Sequence, residues 1–183
     1  MTKKESLVYA AMELFAENGF EKTSTANIAK RAQVSEALIF KHFTNKDGLL
    51  DAVLKQGYAD VLKSNKNMLE SKDPLSFVHR VIELPYVLYL KHPLFWKMQA
   101  QLQTHPKANH AQEHFVKPVK SILANSLRNL GYSNPDKESE LILTVVDSVW
   151  KKLAVDDNFN IGAKDLIKYI QDKYTIEIKQ ENK

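Results

Sequence analysis

Helix punctuation is the feature that most restricts this chain. Apolar residues recur at spacings of three and four along nearly its whole length. The pattern is cut by residue pairs that start or stop helices. Asp73-Pro74, His92-Pro93 and Asn134-Pro135 each put proline at a first helical position, where its missing N–H costs nothing. Asn18-Gly19 and Gly131 supply left-handed stops. The spacing predicts helices over Lys3 to Asn18, Ser24 to Ala32, Ser35 to His42, Lys46 to Glu70 and Asp73 to His92, the last kinked at Pro85. It continues with Pro93 to about His105, Asn109 to Leu130 around Pro118, Asn134 to Val155, and Ala163 to Tyr174. Ser24, Ser35, Asn45 and Asp73 are the expected caps. Thr175 to Lys179 alternates like a strand but has no partner strand. The expectation is an all-α fold of about nine helices.

Composition removes several classes. With 5 Gly and 6 Pro, a many-turned sandwich or barrel is disfavoured. Without Cys there is no disulfide and no thiolate chemistry. No apolar run is long enough to span a bilayer. Lys3 and Lys4 faintly mimic a signal peptide, but Glu13 and Glu17 interrupt the apolar stretch beyond them. The reading is a soluble cytoplasmic protein without membrane association. No nucleophile elbow, phosphate-cradling glycine loop or HExxH zinc motif occurs, which argues against an enzyme.

The formal charge is +4, and Lys22 to Lys46 carries all of it: Lys22, Lys30, Arg31, Lys41 and Lys46 against Glu36. A short basic segment on a neutral body suits a polyanion partner; an ordinary solvated face is the plainer alternative. The same segment holds two short helices joined by a tight turn. Ile28, Ala29, Ala32, Val34, Ile39 and Phe43 face inward, and small Ala29 and Ala32 allow a close, steep crossing. With Leu14, Phe15 and Phe20 from the first helix, this forms a three-helix head with a helix-turn-helix. The second short helix can enter a major groove. Glu36, Ala37 and Leu38 then face base edges: Glu36 to accept from cytosine N4, Ala37 or Leu38 to meet a thymine methyl. Lys41, His42, Lys46 and the Thr25 hydroxyl are placed for phosphates.

The stretch TANIAKRAQVSEALIFKHFTNKDGLL, Thr25 to Leu50, resembles the DNA-binding domain of the TetR family of bacterial transcriptional regulators. Thr25, Ile28, Ala29, Ala32, Val34, Ser35, Phe43, Lys46 and Leu50 carry the likeness, with Gly19-Phe20 ending the first helix. Gln33 stands where the family has a turn glycine, so the turn must avoid or tolerate a positive φ. Phe40 replaces a tyrosine and loses a phenolic phosphate contact. Ile39 replaces a leucine. The resemblance implies a homodimer, a double-stranded DNA operator, a small-molecule effector, and a division into a DNA-binding domain at 1–46 and a ligand-binding and dimerisation domain at 47–183. Ser35 and Phe40 join the expected DNA-contact set.

The remaining helices offer two further surfaces. Between Leu141 and Leu153 the apolar residues exceed one stripe, and the surplus needs a partner, most simply a second copy. Leu141, Val145, Ser148, Val149 and Lys152, with Leu166 and Ile170, are the expected dimer contacts; a fully buried helix in a monomer is the alternative. Tyr86, Tyr89, Phe95 and Trp96 cluster beside Pro85 and Pro93, joined by Phe115 and Trp150. They are either core or the wall of a pocket for an apolar or aromatic ligand. His110 and His114 have a metal-compatible spacing, with His105 before them. Solvent-facing histidines are the preferred reading, and no metal or cofactor is expected. The competing function is a helical protein-interaction adaptor with a degenerate DNA head.

Overall fold

A computed structural model describes residues 1–67, 69–70 and 73–181, with side chains described through Thr175. Among these residues there are nine helices and no strand: α1 (Lys3–Asn18), α2 (Thr25–Arg31), α3 (Ala37–Phe43), α4 (Lys46–Ser64), α5 (Pro74–Lys91), α6 (Pro93–Gln101), α7 (Pro106–Asn129), α8 (Pro135–Val155) and α9 (Phe159–Glu181). No described helix is long and apolar enough to cross a membrane.

Most of the expected punctuation operates. Ser24 Oγ accepts from Asn27 N at 3.1 Å, Asn45 Oδ1 from Gly48 N at 2.8 Å, and Asp73 Oδ1 from Ser76 N at 2.9 Å. At α1 a reciprocal capping box links Thr2 and Glu5, a T-x-x-E signal missing from the expected caps. Several boundaries differ from expectation, among them the end of α6, which falls at Gln101 rather than near His105. Ser35 does not cap α3; Glu36 occupies that position without a side-chain bond, and the Ser35 carbonyl accepts from Leu38 N instead. α4 stops at Ser64, where a Ser-Asn-Lys-Asn run offers competing side-chain bonds and poor helix propensity. α7 begins at Pro106 rather than Asn109. α9 runs from Phe159 to Glu181, so the strand-like alternation at 175–179 lies within a helix.

The chain packs as two compact units. One comprises Met1–Ser64 and His92–Glu113, the other Asn65–Lys91 and His114–Lys183. In the first, α1 rests on α2, α3, α4 and α6. Its core is built from Leu7, Phe15, Ile28, Ile39, Leu49, Leu50 and Val53, each fully buried. In the second, α5 packs on α8 and α9 around Phe77, Val81, Leu123, Leu127, Ile142 and Ile167. These packing units do not coincide with the functional division expected at residue 46.

Candidate nucleic-acid interface

The elbow between α1 and α2 sets where the helix-turn-helix sits. Gly19 leaves α1 at φ 75°, and its N–H donates to Phe15 O at 3.0 Å. Phe20 folds back on Phe15, with ring centroids 5.3 Å apart. Thr23, 2% exposed, sends its hydroxyl to Gly19 O at 2.7 Å. Lys46 closes the elbow from the start of α4. Its Nζ donates to Phe20 O at 2.9 Å and Thr23 O at 3.1 Å, and lies 4.1 Å from the Phe20 ring centroid. The ammonium expected at a phosphate is therefore committed to the protein's own backbone.

The turn between α2 and α3 shows how Gln33 is accommodated. Gln33 adopts φ 56°, in the left-handed region. Its N–H donates to Lys30 O at 3.1 Å and that of Val34 to Ala29 O at 3.0 Å. These are the two bonds of a Schellman ending, and Gly131 makes the same pair at the end of α7 with φ 92°. Glutamine thus occupies a glycine conformation and bears its steric cost, because the hydrogen bonds hold the turn. At the other end of α3, Thr44 turns at φ 70°. A Cβ at residue 48 would strike the Phe43 carbonyl, so Gly48 permits the close α3–α4 join.

The outer face of this head exposes Ser35, Glu36, Ala37, Phe40, Lys41 and His42; Thr25, Leu38 and Lys46 are half-buried. Phe40 is 52% exposed on this face. Lys22 and Lys30 are also exposed, whereas Arg31 turns back to α1. Its guanidinium meets Glu13 at 3.3 Å and Glu17 at 3.0 Å, and this bonding holds the Glu17 carboxyl below the usual range. The Thr25 hydroxyl donates to Glu36 Oε1 at 2.6 Å.

Other expected sites are distributed differently. Phe95 and Trp96 lie in the first unit, where Phe95 stands edge-on to Tyr58 at 4.9 Å and the Gln99 amide bonds the Tyr58 hydroxyl. Burial pushes the Tyr58 phenol well above its ordinary value. Tyr86, Tyr89, Phe115 and Trp150 belong to the second unit; Tyr89 and Trp150 are buried, and Trp150 donates to Asp147 at 3.0 Å. On α8, Leu141, Val145, Ser148 and Lys152 form one exposed to half-exposed stripe. Val149, expected beside them, is 4% exposed and belongs to the inward stripe with Ile142 and Leu153. On α9, Leu166 is exposed and Ile170 half-buried; Tyr169, at 71%, extends that surface.

His105 is not solvent-facing. Its ring stands edge-on to Phe20 at 4.7 Å, and Lys107 reaches Asp51 at 2.5 Å. His110 and His114 are exposed on α7. The sequence held no signal for the His105 and Lys107 contacts, which join segments more than fifty residues apart.

Residues 7–53 match the family described as bacterial regulatory proteins, tetR family. An uncharacterized HTH-type transcriptional regulator of Bacillus subtilis, YvkB, is 51% identical over 47 residues, 26% of this chain and 25% of that protein. The HTH-type transcriptional repressor Rv3405c of Mycobacterium tuberculosis is 35% identical over 78 residues, 43% of this chain and 39% of that protein. The chain thus matches well under half the length of these curated relatives. A TetR-like transcriptional regulator from Rhodococcus sp. RHA1 superposes with TM-score 0.77 at 17% identity, covering 95% of this chain and 96% of that one. FadR from Bacillus subtilis, solved with stearoyl-CoA, superposes with TM-score 0.68 at 18% identity over 90% and 95%. Residues 7–53 thus carry the sequence likeness to the tetR family of bacterial regulatory proteins, and the complete chain shares the fold of solved TetR-like regulators.

Proposed function

We propose that this chain is a ligand-responsive transcriptional repressor that binds a palindromic DNA operator as a homodimer. The observation that carries the reading is the intact helix-turn-helix with an outward α3 face of Glu36, Ala37, Phe40, Lys41 and His42. The seated Gln33 turn argues against a degenerate head, and so against the adaptor alternative. Residues 1–46 read DNA and residues 47–183 bind effector and partner. Two copies associate through the α8 stripe Leu141, Val145, Ser148 and Lys152 and the α9 residues Leu166, Tyr169 and Ile170. Val149 supports that stripe from within. Recognition helices then sit about one DNA turn apart, roughly 34–36 Å.

The effector is a small apolar or aromatic molecule, with walls drawn from Phe95 and Trp96 or from Tyr86, Tyr89, Phe115 and Trp150. The likeness to Rv3405c, a transcriptional repressor, and to FadR, solved with an acyl-CoA, supports release of repression by an acyl or aromatic compound. Effector binding changes the tilt of α4, whose first turn is joined to α3 through Gly48. A coupling of about 1–3 kcal/mol lowers operator affinity some 5–150-fold. The protein works in the cytoplasm, where its DNA is.

Selection from a random-sequence duplex pool tests the reading. The expected result is an enriched inverted repeat, bound by a species of twice the chain mass, and weakened by a fatty acyl or aromatic compound at fixed salt. Enrichment of no sequence overturns it.

A further inference from the structure

The Thr25–Glu36 hydrogen bond lies at the surface of the head. Both side chains lie on its outer face, and the 2.6 Å bond joins the first residue of α2 to the residue before α3. It is the contact that a DNA backbone must disturb. Glu36 is the only acid between Lys22 and Lys46. Of the five cations there, Arg31 is neutralised by Glu13 and Glu17, and Lys46 is tied to two carbonyls. A phosphate arriving at Thr25 therefore meets a hydroxyl whose one hydrogen bond is already donated to a carboxylate. Two anions cannot share that donor, so one must leave.

We propose that this pair is a latch that makes Glu36 a specificity-determining residue. In the free protein Thr25 satisfies the carboxylate. On DNA Thr25 turns its hydroxyl to phosphate, and Glu36 must find a new donor. The amino group of cytosine N4 supplies one in the major groove; adenine N6 also donates but sets its N7 acceptor beside the carboxylate, and guanine and thymine edges present acceptors or a methyl to a group that can only accept. A duplex that sets an acceptor or a methyl against Glu36 at that step leaves a desolvated, poorly paired carboxylate, so the latch penalises wrong sequences more than it rewards the right one. This rests on the DNA-reading role proposed above.

The test repeats the duplex selection with Glu36→Gln, Glu36→Ala and Thr25→Val, each checked for an unchanged melting transition. The wild-type motif should contain a cytosine in each half-site. Glu36→Gln, whose amide both donates and accepts, should shift that position to adenine. Glu36→Ala should bind random duplex more tightly and reduce the preference for the enriched duplex by about 5–150-fold, the span of one base contact. Thr25→Val should weaken random-duplex binding more in the Glu36→Ala background than in the wild type, because only there is the hydroxyl free beforehand. An unchanged motif in both Glu36 variants, or strictly additive Thr25 and Glu36 effects, overturns the latch while leaving the DNA-reading head in place. A wild-type chain that enriches no sequence removes the head's role and the latch with it.

Discussion

Replacing Lys46 by methionine separates two roles that a lysine in a basic segment can play. Methionine keeps much of the stem and removes the ammonium. Two charge-assisted bonds disappear, to Phe20 O at 2.9 Å and Thr23 O at 3.1 Å, together with the contact over the Phe20 ring at 4.1 Å. Bonds from a charged donor contribute about 1.5–3 kcal/mol each. Phe20 O retains a second donor, Thr23 N at 3.2 Å, and Lys46 is only half-buried, so the low end applies. A ring contact of this kind adds about 0.5–1 kcal/mol. The expected loss is about 3.5 kcal/mol, or a fall in Tm of roughly 7–14 °C for a chain of this size. DNA affinity measured across a salt series should keep its slope in this variant, whereas Lys41→Ala should flatten it by about one unit. If Lys46→Met melts like the wild type and flattens the salt slope by a full unit, Lys46 contacts phosphate and the elbow tie is wrong.

Three other perturbations probe the same geometry. Gln33→Gly should raise stability by about 0.5–1 kcal/mol, the relief of a left-handed side chain less the extra freedom of glycine in the unfolded chain; denaturant melts showing a loss would contradict the φ of 56°. Gly57→Ala drives its Cβ into the Phe95 ring, which Tyr58 and Trp96 pin at 4.9 and 5.3 Å. Overpacking of about 1–3 kcal/mol exceeds the helix-propensity gain of about 1 kcal/mol, and Phe95→Leu should recover most of the loss in a double-mutant cycle. Backbone and side-chain bonds from Ser76 hold the Asp73 carboxyl below its ordinary value, and bonding to Thr2 does the same for Glu5. Stability from these groups is complete above about pH 4.5 and is lost as pH falls through their depressed folded values; in Asp73→Asn, acid melts should show a shallower decline across that window.

Local chemistry is legible in the sequence, and tertiary choice is not. Ser24, Asn45 and Asp73 can be read as caps because a cap needs only its own next three residues. The head can be read because its inward residues are fixed by a short motif. The ties of Lys46 to Phe20 and Thr23 are not legible in the sequence because those partners lie twenty-six and twenty-three positions away. Val149 is misplaced because α8 is apolar over more than one arc. Periodicity finds both stripes, 141/145/148/152 and 142/146/149/153, without saying which one α5 covers. α9 outruns its expected end because an alternating segment with no partner strand satisfies its backbone by continuing the helix.

The discontinuity of the first unit bears on how the protein is made and on how it can be engineered. α1 lies against α6, which the ribosome delivers only after all of α4 and α5. The N-terminal helices therefore emerge with one flank bare and wait for its cover until both of those helices have been made. A chimera that grafts only residues 1–64 onto another body discards that cover; a graft intended to keep the fold has to bring His92–Glu113 along.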